Sequence, residues 1–449
     1  MTAPASTRDS WATRAGFLLA AIGSAVGLGN MWRFSYIASQ GGGAAFVILY
    51  LIMVAVVGMP LMTSEFIVGR MTQTSPLNAL RQLGGKSWAP LGVLFVACGF
   101  GILSYYSVIA GWTMRYAIDA VFNRIPPDSA AYFGAVSVGR NALIFHLVFM
   151  SMTIFIVMRG VKKGLERASL IMMPLLFLIL VGLAIWGATL SGAGEAYAYY
   201  LRPSLHQMLN TKILTDAAGQ AFFSLSLGMG ALMTYASYLT SKENLARETA
   251  VVALSDFGVA FIAGLVVFPV IFTFGLQNQI GESSVGALFI SLPKGFDGLG
   301  RVGDYIDTAF FVMLFFAALT SAISLLEVVV AAIVDKWHWP RPRAALVAGL
   351  LTALLGVPAA FNTTFLGAMD DFVGKFLLIL GGFFTALLVG YRILPQADAE
   401  LAQGLPSPGA RKAWAVMVRY IAPVILIVVL WFLRQNVWAA IKNIVTFAS

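Results

Sequence analysis

Eleven long apolar stretches dominate this chain of 449 residues. Each is long enough for a membrane-spanning helix, because about 20 apolar residues cross a hydrocarbon core of roughly 30 Å. Only 11% of the residues are charged and the mean hydropathy is +0.85, whereas soluble domains carry about 25% charged residues. The pattern predicts an all-α polytopic membrane protein and excludes a soluble enzyme or nucleic-acid-binding protein. The predicted spans, numbered 1 to 11, cover residues 12–37, 43–70, 89–122, 141–158, 166–190, 215–240, 246–277, 306–335, 344–359, 371–392 and 413–438.

The formal net charge is +9, and the uneven distribution of the basic residues along the chain indicates the membrane topology. Of the 29 lysines and arginines, about 17 lie in connections or at span ends on the side of the N-terminus and about 9 on the opposite side, and Arg33, Arg115 and Arg419 lie inside spans. Because cytoplasmic loops are rich in these residues, we predict a cytoplasmic N-terminus and, after eleven spans, an external C-terminus. The short termini favour a bacterial inner membrane. The basic residues next to the spans are therefore expected to face the lipid bilayer. The sequence indicates no nucleic-acid partner and no obligate protein partner.

Two spans contain glycine-rich runs that disfavour continuous helix. Span 1 includes residues 23–30 (GSAVGLGN) and span 6 includes residues 224–230 (SLSLGMG), and each Gly costs about 1 kcal/mol relative to Ala in a helix. Small residues also allow close helix packing, which remains the alternative for either run alone. Two runs five spans apart instead predict an inverted repeat with both spans unwound at mid-membrane. We therefore expect one transporter domain over residues 1–449, with repeats at 12–190 and 215–392 and an extra span at 413–438.

Broken helices define the chemistry of such a site. Their free N–H groups and positive dipole ends suit a carboxylate, and their free carbonyl groups suit a small cation such as Na⁺. A zwitterionic amino acid and sodium are thus natural joint occupants.

Several motifs carry a resemblance to a known family. They are RDSW at 8–11, GSAVGLGNMWRF at 23–34, GGGAAF at 41–46, the pair Tyr105–Tyr106, GQAFFSLSLGMGALMTYASY at 219–238 and AALTSAISL at 317–325. In this order they resemble the neurotransmitter:sodium symporter family, and its bacterial amino-acid transporters in particular. The resemblance implies the five-plus-five inverted-repeat fold and uptake coupled to one or two sodium ions.

The resemblance implies two sodium sites. Asp256 in the first site stands where the family commonly has Asn, and a carboxylate there supplies the charge that chloride brings in other relatives. We therefore expect chloride independence; a structural ion pair is the alternative for Asp256. The hydroxyls of Thr320 and Ser321 in the second site are, from sequence alone, equally suited to interhelical hydrogen bonds. Site 1 is expected to use Ala25, Asn30, Ser224 and Asp256, and site 2 to use Gly23, Val26, Ala317, Thr320 and Ser321.

The implied substrate is a hydrophobic or aromatic L-amino acid, because most of the implied contacts are apolar. Met229 stands where a leucine-selective relative has Phe, and Met adapts to more shapes; Met229 and Leu325 as ordinary core residues are the alternative. Gly27 stands where monoamine-transporting relatives carry Asp, so an amino acid is favoured over an amine. The implied contacts are Ser24, Ala25, Leu28, Gly29, Ile102, Tyr106, Phe223, Ser224, Ser226, Met229, Ser321 and Leu325.

The same resemblance implies two gates. The outer gate is an ion pair between Arg33 and Asp371 beside Gln220, with Tyr106 and Phe223 as a lid. The alternative is that the two adjacent acids at this end of span 10 are only solvent-facing residues at the membrane interface. The inner gate pairs Arg8 with Asp335, near Trp11, Ser237 and Tyr238. Glu65, deep in span 2, has no basic neighbour in sequence and is expected to accept hydrogen bonds from the unwound backbone.

Other functions were weighed against the transporter. One cysteine (Cys98) and three separated histidines provide no metal cluster or nucleophile–base pair for a membrane enzyme. A channel requires pore rings or filters, which an inverted repeat with two gates does not predict. Sodium-coupled uptake of another small zwitterion or osmolyte, and a sensor that binds without accumulating substrate, remain as alternatives.

Overall fold

Every regular element of the described chain is a helix. The computed structural model describes residues 9–203, 205–240, 243–276 and 287–448, and within them there is no strand. Within these described ranges, nine helices are long and apolar enough to cross a membrane, or up to ten when one bent pair is counted as a span. The nine correspond to spans 2–5 and 7–11 and cover Ala44–Thr72, Lys86–Val121, Arg140–Met158, Val161–Gly187, Leu245–Thr273, Arg301–Trp337, Arg341–Phe361, Thr363–Arg392 and Pro408–Phe447.

Several spans are longer than their apolar stretches predict. Span 10 begins at Thr363 rather than 371, and span 11 runs from Pro408 to Phe447. Helical hydrogen bonding continues past the apolar run, and hydropathy does not register that continuation. Span 8 packs along span 3 more extensively than any other described pair of helices. Shorter helices join the spans at Pro76–Gly84, Ser129–Ser137, Ala193–Leu201, Leu205–Met208, Leu292–Asp297 and Leu394–Ala402.

Span 1 is broken at mid-length, as its glycines predict. Its halves, Arg14–Ala25 and Gly29–Gln40, are bent by 58°. Val26 ends the first half in an extended conformation, with ψ of 109°. The Gly27 N–H exposed by the break donates to the Asn30 side-chain oxygen at 2.9 Å, so a polar side chain replaces the missing helical bond.

Span 6 is broken more severely. Its helical parts are Thr211–Ser224 and Ala231–Ala236. Neither part is long enough to cross a membrane alone. For this reason the described helices give at most ten spans, whereas the sequence predicts eleven. Between them Ser226, Gly228 and Gly230 have φ values of 53°, 78° and 77°. Glycine adopts this left-handed region without the steric cost that other residues meet. The breaks lie five spans apart, the spacing that an inverted repeat predicts.

Spans 2 and 10 clamp the unwound part of span 6. Glu65 accepts a hydrogen bond from the Gly228 N–H at 2.8 Å, which confirms the role expected of this carboxyl. A Cβ atom at Gly228 would overlap the Leu378 carbonyl oxygen, and one at Gly381 would overlap the Gly228 carbonyl oxygen. Backbone therefore packs directly against backbone, and both glycines are needed for the contact.

We expect Gly228→Ala to destabilise the protein markedly. A left-handed non-glycine residue costs about 1–2 kcal/mol, and the overlap with span 10 adds to this. Thermal unfolding in detergent should show a clear drop in Tm. Gly258→Ala is the matched control, because Gly258 lies in the helix of span 7 and a Cβ atom there meets nothing within 4 Å. Equal Tm values for the two variants would contradict this view of the break.

Candidate functional site

The two breaks bring the residues expected at sodium site 1 together. The Asn30 amide donates to Ser224 Oγ at 2.9 Å and to Asp256 Oδ1 at 2.6 Å. The Ser224 hydroxyl donates to Asp256 Oδ2 at 2.8 Å. All three side chains are at most 1% exposed. Ala25 is also buried, at the end of the first half of span 1. The residues expected at site 1 therefore form one buried cluster with several oxygen atoms.

Asp256 is held by hydrogen bonds rather than by a cation of the protein. Among the described residues, no lysine or arginine forms an ion pair with it. The structural ion pair weighed as an alternative is therefore not made there. A buried carboxylate surrounded only by dipoles favours a bound cation.

Tyr50 is a part of this cluster that sequence reasoning missed. Its hydroxyl donates to Asp256 Oδ2 at 3.2 Å, and its ring is fully buried against Phe34, Phe46 and Phe257. The only signal in the sequence is general, because a buried tyrosine hydroxyl needs a partner.

The residues expected at sodium site 2 also converge. The Ser321 hydroxyl lies 3.4 Å from the Gly23 carbonyl oxygen, 3.3 Å from that of Val26 and 3.2 Å from that of Ala317. The Thr320 hydroxyl donates to the Ala317 carbonyl at 3.1 Å. Ser321 thus links span 8 to span 1, as the interhelical alternative also predicts, and the cluster still gathers three carbonyl and two hydroxyl oxygens.

A cavity of about 40 Å³ lies between the two oxygen clusters. All twelve residues expected to contact substrate line it, together with Gly27, Asn30 and Ser324. No described residue forms a hydrogen bond with the buried Tyr106 hydroxyl, which leaves it available to a carboxylate. Ser324 was not expected from sequence; it accepts a hydrogen bond from Ser24 at 2.9 Å.

The outer side of the cavity is closed differently from the expectation. The Arg33 guanidinium lies 4.7 Å from the centre of the Phe223 ring, and Gln220 donates to the Gly29 carbonyl at 3.2 Å. The predicted ion pair between Arg33 and Asp371 is not formed in this conformation. Asp371 is instead paired with Lys375, one helical turn further along span 10.

Asp370, the neighbour of Asp371, is the acid that contacts span 3. Lys375 binds Asp370 at 3.2 Å, and the Tyr105 hydroxyl donates to Asp370 at 3.0 Å. One nitrogen of the Arg33 guanidinium, Nη1, is buried and has no hydrogen-bond partner in the part of the chain that the structure describes. At the end of the cavity where the outer gate is expected, Arg33 therefore packs on Phe223, and Asp370, Asp371 and Lys375 form a separate cluster on span 10.

The inner gate is only partly described, because Arg8 lies outside the described residues. Asp335 Oδ2 accepts hydrogen bonds from the Thr74 hydroxyl at 2.8 Å and the Ser75 N–H at 2.5 Å. The Trp11 indole N–H donates to the Tyr235 carbonyl at 3.0 Å. The Ser237 hydroxyl donates to the Thr234 carbonyl at 2.6 Å.

A second inner cluster was missed by sequence reasoning. Arg341, at the start of span 9, bridges Asp9 at 3.1 Å and the buried Glu327 of span 8. The Tyr238 hydroxyl donates to the same Glu327 carboxyl at 2.5 Å. The cluster thus ties the N-terminal segment to spans 6, 8 and 9. The available signal was Glu327 itself, because acids inside apolar spans are usually functional.

We expect Arg341→Gln to be strongly destabilising, because removing one partner of a buried ion pair costs about 3–5 kcal/mol. Glu327→Gln combined with Arg341→Gln should restore part of the loss in Tm. Arg343→Gln is the control, since Arg343 is exposed on the same helix. Additive losses in the double variant would show that the two side chains do not interact.

Comparison with known proteins agrees with this geometry. The profile of the sodium:neurotransmitter symporter family matches residues 8–133 and 133–444. An uncharacterized sodium-dependent transporter of Bacillus subtilis (strain 168) is 36% identical over 93% of this chain and 96% of its own length. The sodium-dependent serotonin transporter of Drosophila melanogaster is 28% identical over 95% of this chain and 76% of its own.

A solved structure is also similar. The crystal structure of MhsT in complex with L-phenylalanine superposes with a TM-score of 0.86 at 38% identity, covering 96% of this chain and 100% of MhsT. The chain therefore belongs to the sodium:neurotransmitter symporter family, whose members are sodium-coupled membrane transporters and not enzymes.

Proposed function

We propose that the protein imports hydrophobic or aromatic L-amino acids together with Na⁺ by alternating access. The observation that carries this proposal is one cavity, lined by both broken helices, with an oxygen cluster on either side and the unpartnered Tyr106 hydroxyl at its wall. The broken helices supply dipoles for a zwitterion, and the oxygen clusters supply ligands for sodium. The similar MhsT structure contains L-phenylalanine, which supports an amino acid of this class.

The walls of the cavity favour an apolar substrate side chain. Leu28, Ile102, Met229 and Leu325 line it, and its volume of about 40 Å³ is close to that of one water molecule. Substrate entry therefore requires side chains to move, and the unbranched Met229 is the most adaptable of them.

The environment of Gly27 favours an amino acid over an amine. A Cβ atom at Gly27 would lie 2.7 Å from Ser321 Oγ, so an acidic side chain does not fit without displacing Ser321. The substrate must then bring its own carboxylate, which would bind the sodium of site 1 and Tyr106.

Two sodium ions are proposed, one at each oxygen cluster. Site 1 carries the charge of Asp256, whereas site 2 offers only neutral carbonyl and hydroxyl oxygens. Because the carboxylate of Asp256 supplies a negative charge next to the first ion, transport is proposed to be independent of chloride.

The sodium gradient is sufficient to drive such transport. A tenfold Na⁺ gradient is worth about 1.4 kcal/mol, and moving one charge through 100 mV adds about 2.3 kcal/mol. One ion thus supports a substrate gradient of roughly 500-fold. Two ions support a much steeper one.

The N-terminus is proposed to lie in the cytoplasm of a bacterial cell, at the inner membrane. On this side Arg341 holds the N-terminal segment at Asp9, and Trp11 holds it against span 6. These contacts close the inner end of the cavity. Their release would open it, while Arg33 and Phe223 keep the outer end covered.

The proposal is tested by uptake into proteoliposomes. Leucine, phenylalanine, tyrosine and tryptophan are supplied with an inward Na⁺ gradient or with K⁺, in chloride or in gluconate. We expect saturable accumulation that requires Na⁺ and is the same with either anion. Flux that neither saturates nor accumulates substrate would contradict a symporter.

The Asp256→Asn variant tests the role of the buried charge in the same assay. It keeps the shape and removes the negative charge beside site 1, so uptake should become at least tenfold slower or should be stimulated by chloride. Asp398→Asn is the control, because Asp398 lies in an exposed ion pair with Arg411 on a connecting helix. Unchanged sodium dependence and unchanged rate in Asp256→Asn would overturn the assignment of site 1.

A further inference from the structure

Serine hydroxyls from three elements line the central cavity, and each has already committed its single proton. Ser324 donates to the Ser321 carbonyl at 2.8 Å. The contact of 2.9 Å between Ser24 Oγ and Ser324 Oγ must therefore have Ser24 as its donor. Ser226 donates to the Ser24 carbonyl at 2.7 Å. A hydroxyl has one proton and two lone pairs. Because the protons of these serines are already used, the serines offer a bound substrate mainly hydrogen-bond acceptors.

Two of these hydroxyls have different roles toward a bound amino acid. The substrate ammonium group needs acceptors, and the unwound part of span 6 supplies them through its carbonyls and the Ser226 hydroxyl. Ser24, on the first half of span 1, is left with acceptor capacity that the described residues do not use. Ser24 lines the cavity and is 2% exposed, so its hydroxyl is shielded from bulk water.

The Ser24–Ser324 pair lies beside the part of the cavity that would hold the substrate side chain. Ser321, Ser324 and Leu325 are three and four residues apart on the helix of span 8 and share one face. All three line the cavity, and Leu325 provides an apolar wall next to the serine pair. The Ser24–Ser324 pair therefore places a hydrogen-bond acceptor next to an apolar wall of the cavity.

We propose that the Ser24–Ser324 pair determines specificity by accepting a hydrogen bond from a donor on the substrate side chain. The site then selects aromatic amino acids that carry an N–H or O–H group, tryptophan and tyrosine, over phenylalanine and leucine. This inference rests on the proposed amino-acid transport. Its physical basis is that a buried acceptor left unpaired against hydrocarbon opposes binding.

Matched ligands test the proposal at equilibrium in saturating Na⁺. Tyrosine is compared with phenylalanine, and tryptophan with 3-(1-benzothiophen-3-yl)alanine, in which sulfur replaces the indole N–H. We expect the wild-type protein to bind the donor-bearing member of at least one pair about tenfold more tightly. Equal affinity within both pairs overturns the proposal without any variant.

Variants locate the acceptor. In Ser24→Ala the affinity ratio within the preferred pair should fall to about one. Ser324→Ala is the second variant, to be used if Ser24→Ala does not fold. It should lower the same affinity ratio. Ser35→Ala is the control that keeps the ratio, because Ser35 is buried in span 1 but donates to the Met31 carbonyl and does not line the cavity. A ratio that persists in both Ser24→Ala and Ser324→Ala assigns the preference elsewhere and overturns the proposal.

The outcome also separates this inference from the proposed function. Equal, sodium-dependent binding of both members of each pair removes only the serine-based specificity. No sodium-dependent binding of any amino acid removes the proposed function itself, and the specificity with it.

Discussion

The structure depends on how the backbone groups of two broken helices are satisfied where no bulk water reaches them. An unpaired N–H or carbonyl group in the hydrocarbon region costs several kcal/mol, so a break survives only when other groups replace the lost bonds. Asn30 accepts from Gly27, Glu65 accepts from Gly228, and Ser226 donates to the Ser24 carbonyl. The first of these bonds bridges the break within span 1, and the other two tie a broken span to another span of the bundle.

The groups that repair the breaks also build the site. Asn30 holds the first break and donates to Asp256 at site 1. Ser321 donates to carbonyls freed at the same break and stands at site 2. If the proposed cations bind at these two points, they replace hydrogen bonds that the side chains make in this conformation. Such an exchange would couple ion binding to the shape of the cavity between the two sites.

Hydropathy and glycine placement were enough to predict the spans, their order and the two breaks, because both are local properties of the chain. The positions of the site residues came from the family resemblance. Spacing alone does not show that Asn30 and Asp256 meet. Tyr50, Ser324 and Arg341 were missed because each acts on a residue more than ten positions away, and their own surroundings in sequence are unremarkable.

The Arg33–Asp371 pair shows the limit of transferring a motif. Lys375, one turn beyond Asp371, offers that carboxylate a partner within the same helix, and this local contact is the one formed here. Arg33 rests on an aromatic ring instead.

The central claim is that sodium and substrate share one site between the broken spans. The most direct measurement is substrate affinity in detergent, without any gradient, as Na⁺ is titrated against K⁺ at constant ionic strength, together with Na⁺ affinity at zero and saturating substrate. The account predicts that Na⁺ tightens substrate binding and that substrate tightens Na⁺ binding by the same factor. A substrate Kd that stays constant from zero to saturating Na⁺ would contradict it.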